Sequence, residues 1–167
     1  LAGSEAALRA ASDASYAIKT INELASSPGF SGVFGAKAGF KWLPGTKARD
    51  AEASRRAIVS LATTDSMRKF QGLGSMSDAE FAVAKSAATK LEDTYISDEA
   101  AAQELNRLRK YFSTSIQRAE ELGKIPEGSS EKMISEAMAN LAEPKASSTE
   151  KTATPKTKTE LLKAKIK

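Results

Sequence analysis

The side chains able to do chemistry in this 167-residue chain are carboxylates, lysines, serines and threonines, because it contains no cysteine and no histidine. Without cysteine there are no thiolate nucleophiles, thiolate metal sites or disulfides. Without histidine the chain lacks the commonest general base and the commonest metal ligand. Among the acids, Glu80, Glu92 with Asp93, and Glu120 with Glu121 are the candidates for an acid–base pair. Such a pair needs two carboxyls in different environments converging on a cleft. Each of these acids instead falls at a helix start or on a polar helix face, so a structural role is expected of all of them. "SMRK" (Ser66 to Lys69) has the spacing of a serine–lysine nucleophile pair, but no supporting motif accompanies it. The glycines of "GFSGVFG" and "GAKAGFKW" lack the GxxxxGK[ST] order that aims amides and a lysine at phosphate. They read as tight turns around buried aromatics. No catalytic residue, cofactor or metal is expected, and the chain is read as non-enzymatic.

The elements that must position these residues are helices. Leu8, Ala11, Ala14, Ile18, Ile21 and Leu24 recur at steps of three and four, which predicts a helix from about Ser4 to Ser26. The stretch 26–46 holds five glycines, two prolines, three phenylalanines and the only tryptophan. Glycine and proline break a long helix there, while Phe30, Val33, Phe34, Phe40, Trp42 and Leu43 require burial. An ordered aromatic connector containing one short helical turn is expected. A second long helix is predicted from about Thr46 to Gln71, with Ala57, Ile58, Leu61, Ala62, Met67 and Phe70 on its buried side. Gly72 and Gly74 stop it. Ser77-Asp78-Ala79-Glu80 then reads as a capping box, in which hydroxyl and carboxylate each bond the other residue's amide. Phe81, Ala84, Ala87, Ala88 and Leu91 give the stripe that follows. Ser97, Asp98 and Glu99 open a further helix, acids being favoured in a first turn. Its expected buried side is Ala102, Leu105, Leu108, Phe112, Ile116, Ala119 and Leu122, and Gly123 ends it. A short helix from Ser130 to about Leu141 follows.

From Ala142 the composition changes to lysine, threonine, serine, alanine and proline. This tail carries seven lysines against three glutamates, so residues 1–141 balance at 18 basic and 18 acidic and the tail holds the entire net +4. It is expected to be disordered or extended. Lys151, Lys156, Lys158, Lys163, Lys165 and Lys167 are its candidate contacts to DNA phosphates or to an acidic partner. The tail has no aromatic for base stacking and no arginine for bidentate base contacts, so any DNA contact would be nonspecific. The expected division is an N-terminal helix over 1–25, a helical body over 26–141 and the basic tail over 142–167. Taken together, the pattern predicts an all-α fold, a bundle of helical hairpins with about four to five helices. The start, without methionine or a signal-peptide core, reads as an internal boundary. No apolar run approaches the roughly 20 residues of a membrane-spanning helix. Aromatics make up only 6 % of the chain, and an apolar content so rich in alanine buries little area per residue. Self-association or docking to a larger assembly would offset that weakness. Phe30, Phe34, Phe40, Trp42, Leu43, Phe70, Phe81, Leu105, Leu108 and Phe112 are the candidate packing and assembly residues.

The order of these signals resembles a segment found in virion proteins of tailed bacteriophages. The resemblance runs through "PGFSGVFG", "WLPGTKARDAEA", Phe70, the Gly74-Ser75-Met76-Ser77-Asp78-Ala79-Glu80 helix start and the closing pair of helices. It covers roughly residues 26–125. It implies a structural component of the phage particle, made in the bacterial host cytoplasm. That component would be an internal or DNA-ejection protein assembling with copies of itself and with portal or tail proteins. It carries over no catalytic residue. Two other classes stay open: a DNA-binding or packaging accessory protein acting through the basic tail, and a fragment of an enzyme whose active site lies outside this chain.

Overall fold

A computed structural model describes residues 2–35, 38, 45–63, 67–69 and 76–139. Phe40, Trp42, Leu43 and Phe70, Ser66 of the serine–lysine pair, and the whole basic tail with its six candidate lysines lie outside the described residues. Among those described every regular element is helical and none is a strand, so the all-α expectation holds. The helices are α1 (Ala2–Ala25), α2 (Phe30–Val33), α3 (Lys47–Leu61), α4 (Asp78–Glu92), α5 (Asp98–Glu121) and α6 (Ser129–Ala139).

α1 is the centre of the bundle, packing on α3, α5 and α6. Its inward stripe is Ala7, Ala10, Ala11, Ala14, Ala17, Ile18, Ile21 and Leu24, all buried. Five alanines in that stripe leave only a methyl group between backbones, so neighbouring helices can approach closely. α4 and α5 form an antiparallel hairpin across the short 93–97 connection, and α3 leans on α4. The hydrophobic core joins α1 to Val33, Phe34, Ile58, Met67, Leu91, Leu105, Leu108, Phe112 and Ile116.

The connector is held tightly where it is described. A Cβ on Gly29 would sit 2.1 Å from the Lys47 carbonyl oxygen, so the chain before α2 lies directly on the start of α3. Gly35 takes φ +66° and donates its N–H to the Ile96 carbonyl at 2.9 Å, tying the connector to the α4–α5 turn. That left-handed conformation favours glycine. Phe34 is buried, and its ring lies 5.2 Å from the half-buried Phe30.

Three expectations are corrected. The second long helix ends at Leu61 rather than near Gln71. Ala62 still donates to the Ile58 carbonyl at 2.9 Å, but Thr63, a β-branched type that helices disfavour, closes the last turn with a shorter loop to the Ser60 carbonyl at 3.2 Å. Leu122 is 53 % exposed rather than buried, because it lies beyond the last turn of α5. Leu8, Ala57, Leu61, Phe81 and Ala102 are half-buried rather than fully buried. On α3 and α5 the buried face is rotated to take in Glu52 with Arg55, and Ala101 with Glu104.

Candidate functional site

An open concavity lies between α4 and α5, and Met76, just before α4, begins building it. Ser77 closes the capping box as the sequence predicts. Its Oγ accepts the Glu80 amide at 3.3 Å, and its own amide donates to Glu80 Oε2 at 3.0 Å. The same carboxylate is gripped from α5. Arg118 Nη1 donates to Oε2 at 2.8 Å and Nη2 to Oε1 at 2.9 Å, the bidentate fork that carboxylate and guanidinium geometry favours. The Arg118 hydrogen bonds, followed by those from Ser77, push the Glu80 carboxyl down to about 2, and Arg118 is shifted upward by the same contact. A predicted helix cap is thus also the strut that fixes α4 to α5.

Beside this strut is a cavity of about 390 Å³ lined by Met76, Ala79, Glu80, Val83, Ala84, Arg107, Lys110, Tyr111 and Thr114. It continues along α4 past Ala82, Val83 and Ser86 to Arg107. Val83, common to both parts, is 55 % exposed. Tyr111 lies at the floor, with its hydroxyl 3.5 Å from the Met67 carbonyl. Burial, and to a lesser degree the Glu80 charge, pushes the Tyr111 phenol up to about 12. It is therefore a neutral phenol at physiological pH.

Four further polar clusters all join helices. Arg55, buried, donates from Nε and Nη2 to both oxygens of buried Glu52 at 2.8 Å, and from Nη1 to the Leu91 carbonyl at 2.8 Å. It thereby caps the last turn of α4 from α3, satisfying a carbonyl that the helix cannot satisfy itself. Glu104 on α5, 5 % exposed, receives Lys90 from α4 at 2.9 Å and Arg107 at 2.9 and 3.0 Å. Glu120 receives the amides of Gly128 and Ser130 at 3.0 and 2.6 Å, placing its charge at the start of α6. Those contacts hold its carboxyl below the usual range, the Ser130 side chain contributing most. Asn22 donates to the Ala137 carbonyl at 3.4 Å and accepts from Arg109 at 3.2 Å, fastening the end of α6 to α1 and α5.

Of the acids singled out in the sequence, Glu80 caps the start of its own helix, while Glu120 sits in the last turn of α5 and caps the start of α6. Asp93 accepts the Tyr95 amide at 2.8 Å within the α4–α5 turn. Among the described residues no group of three or more acids is placed to hold a metal ion. Phe34, Leu105, Leu108 and Phe112 are all at most 1 % exposed, so they pack within this chain. Phe30 and Phe81 are half-buried against the same core. Arg55, Glu52, Glu104, Arg118 and Asn22 are absent from the sequence-based candidates. The signal for three of them is an acid followed three residues later by arginine, with the acid or the arginine on the apolar stripe: Glu52–Arg55 and Glu104–Arg107. Comparison of the chain with protein-family models, with curated proteins and with solved structures finds no match.

Proposed function

We propose that this chain is a non-enzymatic structural component of a tailed-phage particle. In this reading it is an internal or DNA-ejection protein that assembles with itself and with portal or tail proteins during genome delivery. The observation that carries an assembly role is the use made of charge. Arg55, paired with Glu52 inside α3, reaches the Leu91 carbonyl of α4, Lys90 of α4 meets buried Glu104 of α5, and Glu80 of α4 meets Arg118 of α5, so each braces one helix against another. The open α4–α5 groove, by contrast, has an apolar floor, and such a surface suits a packed helix better than a bond-making reaction. The phage assignment rests on the ordered resemblance across residues 26–125.

A second reading has its own support. The tail supplies the whole net +4, which favours a DNA-binding or packaging accessory role through phosphate neutralisation. Light scattering on the full chain, at low and high salt and with and without duplex DNA, separates the two. A large oligomer indifferent to salt and DNA is the expected result. A monomer that gains mass only with DNA at low salt would overturn it in favour of the tail-driven reading.

A further inference from the structure

The groove between α4 and α5 has three properties that together specify an occupant. The first is its periodicity. Ala79, Val83 and Ser86 line the α4 side at steps of four and three, and Arg107, Lys110 and Thr114 line the α5 side at steps of three and four. Two parallel rows with helical spacing form a trough into which the ridge of a third helix fits. Small residues at 79 and 86 leave room for it on either side of Val83.

The second is an apolar floor. Met76, half-buried, and Val83, exposed, offer burial to aliphatic side chains, and a phosphate backbone would gain nothing from covering them. The third is uncompensated positive charge. Lys90 and Arg107 share the single carboxylate of Glu104, which leaves one charge over. Lys110 adds another and makes no ion pair among the described residues. Glu80 is cancelled by Arg118.

We propose that this groove seats an acidic amphipathic helix of another protein, its aliphatic stripe on Val83 and its carboxylates on Lys110, Arg107 and Lys90. The charge also removes the two nearest rivals. Two copies meeting face to face across this groove would set its surplus positive charge against itself. The chain's own 142–167 segment carries the net +4 and is repelled in the same way. The inference rests on the assembly reading and supplies the chemistry of the partner.

The test uses the full chain and two fluorescent peptides of about 18 residues, a length that can form several helical turns. Both carry leucines at steps of three and four; one is flanked by glutamates and its twin by lysines. Anisotropy at roughly 0.1 M salt keeps surface charges from being fully screened. The glutamate peptide is expected to bind about tenfold tighter than its twin or better. Val83→Glu should abolish that binding, and Lys110→Glu should remove the preference, with helix content by circular dichroism unchanged in both. Both sites are on the surface, so folding is not at stake, and the dichroism verifies it. Equal binding of the two peptides, or binding indifferent to Val83→Glu, overturns the proposal. So does loss of self-association with Val83→Glu, which would assign the groove to a second copy. Displacement of the peptide by duplex DNA would assign it to nucleic acid. A chain that self-assembles yet ignores both peptides refutes this inference alone. A monomer that binds the glutamate peptide upholds it while refuting self-assembly.

Discussion

Replacing Arg55 tests whether buried charge holds α3 to α4. The Arg55→Ala substitution removes two bonds of 2.8 Å to Glu52 and one of 2.8 Å to the Leu91 carbonyl. The Glu52 side chain, 8 % exposed, keeps Arg56, whose own side chain is 74 % exposed and which donates at 2.9 Å. Removing one member of a buried pair costs about 3–5 kcal/mol, because a charge stays buried without its partner. Arg56 offsets part of that, which puts the expected loss at about 3 kcal/mol. Replacing both residues by apolar ones, Glu52→Leu with Arg55→Met, leaves no buried charge. The Leu91 carbonyl then loses its donor, and the Glu92 carbonyl loses a longer bond of 3.4 Å, together about 1 kcal/mol. The double variant should therefore be more stable than the single one. Urea unfolding followed by circular dichroism reads the difference. With a slope of about 1.5–2 kcal/mol per molar urea, Arg55→Ala should lower the midpoint by about 1.5–2 M and the double variant by about 0.5 M. A midpoint for Arg55→Ala within about 0.3 M of wild type, or a double variant as unstable as the single one, refutes the argument.

Gly29→Ala should cost at least about 2 kcal/mol, because the added methyl meets backbone atoms, the Lys47 carbonyl oxygen at 2.1 Å and carbon at 2.4 Å, which no rotamer change relieves. Gly45→Ala is its control: φ is +73° but nothing lies within 4 Å, so only backbone strain of about 1 kcal/mol is expected. Thermal unfolding should show the larger drop for Gly29→Ala, and equal drops would disprove the close approach. Carbon-13 titration of the Glu80 carboxyl should give a midpoint near 2, moving upward in Arg118→Met because the Arg118 hydrogen bonds are the largest cause of the shift. The folded value lies below the unfolded one. Stability from this strut is therefore fully present above about pH 4.5 and is lost as the pH falls toward 2. The stability gap between wild type and Glu80→Gln should accordingly be flat from pH 6 to 8 and shrink below about 4.5; a gap that widens on acidification would contradict it.

How much of this was legible depended on whether the signal was local. Ser77 with Glu80, and Ser97 ahead of two acids, declare helix starts within four residues, and both caps form. The α1 stripe is equally local: of its expected residues Ala11, Ala14, Ile18, Ile21 and Leu24 are buried and Leu8 is half-buried. The end of α3 was harder, since Ile58, Leu61, Ala62, Met67 and Phe70 keep a plausible helical phase in the sequence although Ala62 and Thr63 leave the helix. Apolar periodicity also conceals buried charge. Ala51, Arg55, Ile58 and Ala62 form one inward row at steps of four, three and four, yet a hydrophobic reading skips Arg55 and shifts the face toward Ala57. The partner that makes Arg55 tolerable inside is partly Glu52, three residues away, and partly the Leu91 carbonyl, 36 residues away. Only the first is visible in sequence. Arg118 was invisible for the same reason, as it meets Glu80 across 38 residues.

These ion pairs follow from the alanines. A helix faced with methyl groups lets its neighbours come close but buries little apolar surface per residue, so hydrophobic burial alone specifies register weakly. Alanine rows can slide past one another by a turn at small cost. A guanidinium held by a carboxylate of its own helix and reaching the carbonyl at the end of the next one cannot slide, because a shift of one turn, about 5.4 Å, breaks the bond to that carbonyl. Arg55 fixes α3 on α4 in this way, Arg118 fixes α5 on α4, and Asn22 fixes α6 on α1. A bundle pinned at these positions presents the α4–α5 groove with its rows in fixed phase, which is the condition for a third helix to read their spacing. Arg118→Met, which unpins the hairpin on which Lys110 and Val83 face each other, should weaken the glutamate-flanked peptide although Arg118 carries no surplus charge. If peptide affinity were unchanged while the Glu80 titration moved, groove phase and the strut would be independent, and the link drawn here between alanine packing and ion-pair register would be wrong.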